Sequence, residues 1–211
     1  LHARYEHAIT LQRLGSRRKA EKILKSLPRS YDSIPTKQKQ DHPKAGYAAA
    51  HVRFLEAEKL FKEYKKIRLS KRLNKRQMKK ALDKKRKALS STLKAFERVV
   101  KYKQGEWGVA ALYRAGDMFL DFSKFLLSAP VPSVRKDVIK AFRGVLSKKG
   151  LPRRMHARFL RKASIRARID SIVAKSRDNY KMKLQELAQP EEDRAIKLYK
   201  RCMMLGHSLR V

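Results

Sequence analysis

The chain has 211 residues, of which 55 are Lys or Arg and 19 are Asp or Glu, so its formal net charge at pH 7 is +36. This length suits one ordinary domain or a short repeat array, and the regularly spaced apolar residues, 42% of the total, favour a packed core over disorder. The single cysteine, Cys202, excludes an intrachain disulfide and a cysteine-based zinc finger, and no apolar run approaches the roughly 18–20 residues that span a bilayer.

Apolar residues recur at helical spacing along almost the whole chain. A first helix is expected up to Leu14 and a second from Ala20, because Gly15-Ser16 interrupts the pattern. Pro28 is predicted to end the second helix, and residues 28–43 are predicted to form a loop.

Two long helices are expected next. The first begins near Pro43, since proline is favoured in the first helical turn, and its apolar line reaches Ile67. A weak break is expected at residues 70–74. The second helix carries a narrow apolar stripe from Met78 to Val100, which suits pairing with one neighbouring helix.

A nearly uncharged segment follows the second long helix. Gln104-Gly105 ends that helix, and the helix of residues 106–128 is expected to be the most buried of the chain because it carries so few charges. Residues 129–132, Ala-Pro-Val-Pro, cannot be helical through their middle, because a proline disfavours the helical region at the residue before it.

The C-terminal third is predicted to hold three more helices. Ser133 is the expected N-cap of the first, residues 150–152 break the pattern, and a long helix follows over residues 155–187. Pro190 and the acidic residues after it are expected to open the last helix, since carboxylates stabilise a helix N-terminus. Gly206 is expected to end it.

The positive charge is concentrated in two stretches. Residues 62–103 carry 18 basic and 3 acidic side chains, and residues 133–183 carry 17 and 3, whereas residues 104–132 between them carry 2 and 3. A clustered field of this kind steers anions toward the surface, while a diffuse one mainly solubilises the protein.

Small residues recur at positions where a helix crossing would receive a large side chain. Antiparallel helix pairs with this pattern are typical of tetratricopeptide-type solenoids. We therefore expect a single all-α domain over residues 1–211, a TPR-like right-handed superhelix or stack of helical hairpins with two unusually long pairs. Trp107 is open to a second interpretation as a ligand anchor, and Tyr113 as the lining of a groove. The residues assigned to repeat packing are Ala8, Gly15, Ala20, Trp107, Tyr113, Gly116, Phe119, Ala195 and Tyr199.

Two segments of the chain carry a more specific resemblance. The first contains Glu106-Trp107, residues 110–114 (Ala-Ala-Leu-Tyr-Arg), Gly116 and residues 129–132; the second contains Tyr180, Leu184, Gln189-Pro190 and residues 192–195. The sequence resembles tetratricopeptide proteins of deltaproteobacteria, including those linked to adventurous gliding motility in myxobacteria. The resemblance covers residues 43–132 and 178–206, the second being similar to the family's final helix pair.

That resemblance implies a non-catalytic scaffold that binds protein partners in a cell-envelope complex facing the periplasm. A cytoplasmic location is the alternative. The chain departs from the family because it is far more basic, and because residues 133–177 have the character of an inserted or extended basic arm. Both departures leave the particular partner open.

Two clusters of cations are the candidate anion-binding residues. Four like charges in one helical turn repel each other, and an anionic partner would relieve that repulsion. The alternative is a solvated helix face, although there are too few acids for ion pairs along the helix to explain the run. The second cluster is rich in arginine, which suits bidentate contacts to phosphate or carboxylate. The candidates are Lys84, Lys85, Arg86 and Lys87 in the first cluster, and Arg153, Arg154, Arg158 and Arg161 in the second.

The expected ligand is a protein partner, with an anionic polymer or lipid surface also open and nucleic acid as the leading alternative. In the arginine-rich window the cations are not interleaved with aromatic residues other than Phe159, so contact with nucleic acid would run through the phosphate backbone. Neither a cofactor nor a metal is expected, because no two histidines lie three or four residues apart and no Gly-rich phosphate loop is present. The chain is therefore expected not to be an enzyme.

Overall fold

A computed structural model describes residues 1–70 and 75–208 of the chain. All regular structure in these ranges is helical, which confirms the all-α prediction. Part of the predicted break at residues 70–74 lies outside the described residues. A short 3₁₀ helix occupies Gln38–Asp41. The α-helices are α1 (His2–Arg13), α2 (Arg17–Asp32), α3 (Pro43–Lys66), α4 (Lys75–Val100), α5 (Gly105–Leu127), α6 (Arg135–Lys148), α7 (Arg153–Leu160) and α8 (Ala163–Ser208).

The helices pack as three antiparallel pairs. Consecutive helices contact each other from α1 to α5, and α5 then pairs with α8, from which it is separated in sequence by α6 and α7. The first helices of successive pairs also touch, since α1 contacts α3 and α3 contacts α5. The helices α6 and α7 pack against each other and against α8, the second helix of the third pair.

Three apolar clusters of the described residues hold this stack together. The largest one joins α3, α4, α5 and α8 and contains the buried rings of Phe61, Phe96 and Phe122. The second joins α1, α2 and α3 around Leu27 and Val52, and the third packs the end of α2 against the start of α3. Truncating a fully buried phenylalanine to alanine typically costs about 3–5 kcal/mol, so each of the three rings contributes substantially to the stability of the chain.

Pro28 does not end α2, and the predicted loop of residues 28–43 is therefore shorter than expected. The helix continues to Asp32 with Pro28 buried inside it. A proline inside a helix loses one backbone hydrogen bond. Here Leu27 and Tyr31, on either side of Pro28, are almost fully buried, and their burial offsets that loss.

Pro190 does not open a separate helix. It lies inside α8, a continuous helix of 46 residues, which at 1.5 Å per residue is roughly 70 Å long. The expected final helix pair within residues 178–206 is thus one helix. The buried residues Ala188 and Ala195 flank the proline, and their packing keeps the helix continuous.

Three smaller boundary predictions also need correction. The N-cap of α6 is Val134 rather than Ser133. The helix predicted over residues 155–187 is interrupted at Arg161 and Lys162, between α7 and α8. Gly206 lies within the last turn of α8 instead of ending it.

The predicted small-to-large crossing occurs between α5 and α8. A Cβ placed on Gly116 would lie 2.7 Å from Cε1 of Tyr199, so the absence of a side chain lets the two helices approach. The Tyr199 hydroxyl donates to Asp117 Oδ1 at 2.9 Å, which fixes its ring over the glycine. Ala195 is buried one turn earlier.

The other residues assigned to repeat packing divide into two groups. Ala8 and Ala20 are completely buried, and Phe119 packs against the largest cluster. Gly15 is exposed with no atom near its missing Cβ, and its φ of +79° shows that it serves the turn rather than packing. The packing assignment of Gly15 is therefore wrong. Tyr113 is 50% exposed, and its ring lies at a centroid distance of 5.6 Å from that of Tyr199 on α8, so it takes part in the contact between α5 and α8 at the border of the packed surface.

Trp107 belongs to the core rather than to an open ligand site. Its ring stacks on His51 with centroids 4.2 Å apart and meets Phe54 at 5.3 Å. The hydroxyl of Tyr5 lies 2.6 Å from Nδ1 of His51, which links α1, α3 and α5. Burial lowers the pKa of His51, so its ring is neutral at pH 7 and stacks as an apolar surface.

Candidate functional site

The first candidate cluster lies in the middle of α4 and is not uniform. Lys84, Arg86 and Lys87 are exposed to solvent, whereas the side chain of Lys85 is 2% exposed. Three of the four candidate cations are therefore available to a partner. The prediction that Lys85 contacts an anionic partner is wrong.

Lys85 instead joins three helices. Its Nζ lies 2.7 Å from Oδ2 of Asp121 on α5 and donates to the backbone carbonyls of Tyr64 and Ile67 at the end of α3. It also lies 3.8 Å from the centroid of the Tyr64 ring. These carbonyls are among those that a helix end leaves without a partner. Lys85 thus donates hydrogen bonds to carbonyls at the end of α3 and is not free to bind a ligand.

Tyr64 completes this buried cluster. Its hydroxyl donates to the carbonyl of Met118 on α5 at 3.1 Å. Burial, with a smaller contribution from Asp121, raises the pKa of Tyr64 well above its usual value. The phenol is therefore a neutral hydrogen-bond donor at pH 7.

The α4 cluster and the root of the arm lie at the same end of the helix stack. Asp121, which holds Lys85, lies in the last two turns of α5, and the chain leaves α5 for α6 at Leu127. Antiparallel packing also brings the end of α3 to this place. We call this the basic end of the stack.

Further cations join the basic end from other helices. A cavity of about 460 Å³ beside Lys85 is lined by Lys65 and Arg68 from the end of α3 and by Lys124 from the last turn of α5. The sequence did not single out these three residues, although Lys65 and Arg68 fall within the first basic stretch. Their position depends on helix pairing and not on spacing along the chain. Lys65 and Lys124 also complement the negative ends of their own helix dipoles.

A groove separates α4 from α8 along the side of α5. Its volume is about 440 Å³, its floor includes Leu93 and Phe119, and Arg86 stands on its α4 wall. On the α8 wall, Arg194 pairs with Glu191 at 3.0 Å. Arg86 thus faces an opposite wall whose charges already neutralise each other.

The second candidate cluster lies on the arm. Arg153, Arg154 and Arg158 on α7 and Arg161 after it are all exposed. Arg154, Arg158 and Arg161 follow spacings of four and three residues and therefore share one helix face. In the part of the chain that the structure describes, one ion pair forms on the arm, between Arg135 and Asp170, so the arginine face of α7 keeps its charge for solvent or a partner.

Residues 1–70 and 75–208 contain no group of three or more His, Cys, Asp or Glu side chains positioned to hold a metal ion. Within the same ranges, no helix is both long and apolar enough to cross a membrane. Comparison with models of protein families, with curated proteins and with solved structures finds no match.

Proposed function

We propose that this protein is a non-catalytic scaffold that binds an acidic surface of a partner protein through its basic end and its arm. The observation that carries the proposal is the gathering of exposed cations from α3, α4 and α5 at one end of the stack, from which the arm with its own arginine face departs. Lys84, Arg86 and Lys87 are exposed there, beside the additional cations of α3 and α5. Clustered charge of one sign speeds association with a partner of the opposite sign.

The architecture that we propose for the scaffold is TPR-like. Three antiparallel pairs follow one another, the first helices α1, α3 and α5 are in contact, and Gly116 receives Tyr199 at a close crossing. Repeat arrays of this kind present extended surfaces for binding other proteins. The long α8 and the helices α6 and α7 would be this chain's own additions to such an array.

The proposed setting is a cell-envelope complex of the gliding-motility type, on the periplasmic side. This part of the proposal rests on the resemblance of residues 43–132 and 178–206 described above. Fractionation of the natural protein against periplasmic and cytoplasmic markers tests it, and recovery with the cytoplasmic marker would contradict it.

Charge reversal at the basic end tests the scaffold proposal. The first variant combines Lys84→Glu, Arg86→Glu and Lys87→Glu, and the second combines Arg154→Glu, Arg158→Glu and Arg161→Glu. Because all six side chains are exposed, both variants should retain the far-ultraviolet circular dichroism of the parent. We expect each to weaken the binding of labelled polyglutamate, measured by fluorescence anisotropy, by about tenfold or more.

A matched control separates a local site from the general positive field. Lys197, Lys200 and Arg201 are exposed on α8, next to Cys202, which contacts Val109 near the start of α5 at the opposite end of the stack. Their reversal to Glu changes the net charge by the same amount. We expect this control to weaken polyglutamate binding by less than about threefold. Equal losses in the control and in the two test variants would contradict a local site.

Nucleic acid remains the second candidate partner, and the arginine face of α7 is the observation that favours it. Three guanidinium groups on one helix face suit contacts along a phosphate backbone. The same variants are therefore tested against a labelled DNA duplex over a series of salt concentrations. Tighter binding to duplex than to polyglutamate, with a log-linear salt dependence that the arm variant flattens, would support this alternative.

A further inference from the structure

A second cavity lies at the end of the stack opposite to the basic end. It has a volume of about 450 Å³ and forms where α3 and α5 begin and α4 ends. One wall comes from the end of α2 and the loop after it, and the other from the turn between α4 and α5. Known small-molecule sites commonly have about 300–1,000 Å³, so the cavity has the size of a ligand pocket.

Two tyrosines and a carboxylate form one side of this cavity. The rings of Tyr31 and Tyr102 lie 5.6 Å apart. The hydroxyl of Tyr102 donates to Oδ1 of Asp32 at 2.9 Å, and Nη2 of Arg53 lies 3.5 Å from Oδ2. Arg53 also pairs with Glu56 at 3.0 Å, so Asp32 keeps part of its negative charge and offsets part of the positive charge that lines the cavity.

Three ammonium groups stand around the cavity. Lys39 is held over the Tyr31 ring, with Nζ 5.3 Å from its centroid, and donates to the backbone carbonyl of Asp32 at 3.3 Å. Lys101 and Lys103 line the opposite wall and are exposed. The cavity thus combines an aromatic side with a surplus of positive charge.

The backbone conformation of Lys103 is a further feature of this cavity. Its φ is +55°, a left-handed conformation that costs a residue with a side chain roughly 1–2 kcal/mol and costs glycine little. This turn therefore places a lysine in the cavity wall at a position where glycine would adopt the same backbone conformation with less strain. The first turns of α3 and α5 also open toward the cavity, with Pro43 and Gln104 among its lining, and their dipoles add to the positive potential.

We propose that this cavity binds a phosphate monoester that carries a flat organic group. A doubly charged phosphate suits several lysine ammonium groups acting as point charges, and the tyrosine rings offer a stacking surface to the organic part. This site lies apart from the basic end and serves a small molecule. It therefore goes beyond the scaffold proposal, and either can fail without the other.

Phenyl phosphate is the probe, titrated by calorimetry at constant ionic strength, with inorganic phosphate as the probe that lacks a ring. We expect saturable binding of phenyl phosphate at millimolar concentration or below, and weaker binding of inorganic phosphate. The test variant combines Lys101→Ala with Lys103→Ala and should weaken the binding of phenyl phosphate by about tenfold or more. Both side chains are exposed, so thermal melting should show a folded protein.

The matched control combines Lys19→Ala with Lys22→Ala, which removes the same charge at exposed positions of α2 that belong neither to this cavity nor to the basic end. This control should change the affinity for phenyl phosphate by less than about twofold. Equal weakening in both double variants would show that the general positive field, and not this cavity, attracts the anion. That result, or the absence of saturation up to about 10 mM, would overturn the proposal.

Discussion

At the residue scale, Lys85 is the side chain whose surroundings matter most for the stability of the stack. Its ammonium group contacts Asp121 and two carbonyls at the end of α3, so the cost of removing it from water is met by one opposite charge and two acceptors. Removing one partner from such a pair leaves the other charged and poorly solvated.

We predict that Lys85→Met destabilises the chain by about 3 kcal/mol, the lower part of the range for buried pairs, because Asp121 keeps some solvent exposure. Urea denaturation measures this loss. Lys84→Met, one position earlier and exposed, is the control and should change the free energy of unfolding by no more than about 0.5 kcal/mol. Equal effects of the two substitutions would show that the pair with Asp121 adds nothing.

The sequence indicates that Lys85 is buried, but it does not indicate that Asp121 is its partner. The apolar stripe of α4 has a gap of seven residues between Leu82 and Leu89, and Lys85 lies in that gap on the same helix face. Helical periodicity thus predicts that this cation lies on the packed face of α4. Asp121 could not be inferred, because its approach depends on how α4 and α5 pair.

At the scale of helices, tertiary packing overrides the local sequence signal for a helix boundary at two prolines. Pro28 and Pro190 both sit where sequence rules end or begin a helix, yet α2 and α8 continue through them. In each case buried residues on both sides of the proline are held by neighbouring helices. The spacing of apolar residues predicted most other helices, since their ends coincide with Gly or Pro breaks that packing does not override.

The crossing of α5 and α8 gives the prediction at this scale. Gly116→Ala should destabilise the chain by about 1–2 kcal/mol, since a Cβ 2.7 Å from the Tyr199 ring forces the helices apart, and overpacking of this kind outweighs the better helix propensity of alanine. The shift of the urea midpoint measures the effect.

Gly108→Ala in the same helix is the control. No atom lies within 4 Å of the Cβ that it would add, so alanine should stabilise α5 by up to about 1 kcal/mol. If Gly116→Ala stabilised the chain as much as Gly108→Ala does, the close crossing would be contradicted.

At the scale of the whole molecule, the net charge of +36 opposes folding through repulsion between cations. The segments that carry the charge could be predicted from the sequence, but the gathering of cations from α3, α4 and α5 at one end of the stack could not. That arrangement follows from the antiparallel packing of α3, α4 and α5. The cavity at the opposite end likewise joins residues from the end of α2 and the loop after it with residues from the turn between α4 and α5, which no local pattern connects.

We predict that added NaCl raises the melting temperature by about 3–6 °C between roughly 0.05 and 0.5 M, because screening weakens the repulsion at these ionic strengths. Differential scanning calorimetry measures the shift. The variant with Arg154, Arg158 and Arg161 reversed to Glu has less repulsion to screen and should gain less from salt. A melting temperature that falls as salt is added would contradict the prediction.

The unbroken course of α8 has a mechanical consequence. One helix runs from the end of α7 through Pro190 to the contact where Tyr199 packs on Gly116. Pro190 has no backbone N–H to donate within that helix, so bending under a force on the arm would concentrate at this residue. The covalent path from the arm to the contact with α5 thus passes through the one position of α8 where a mechanical load would first deform the helix.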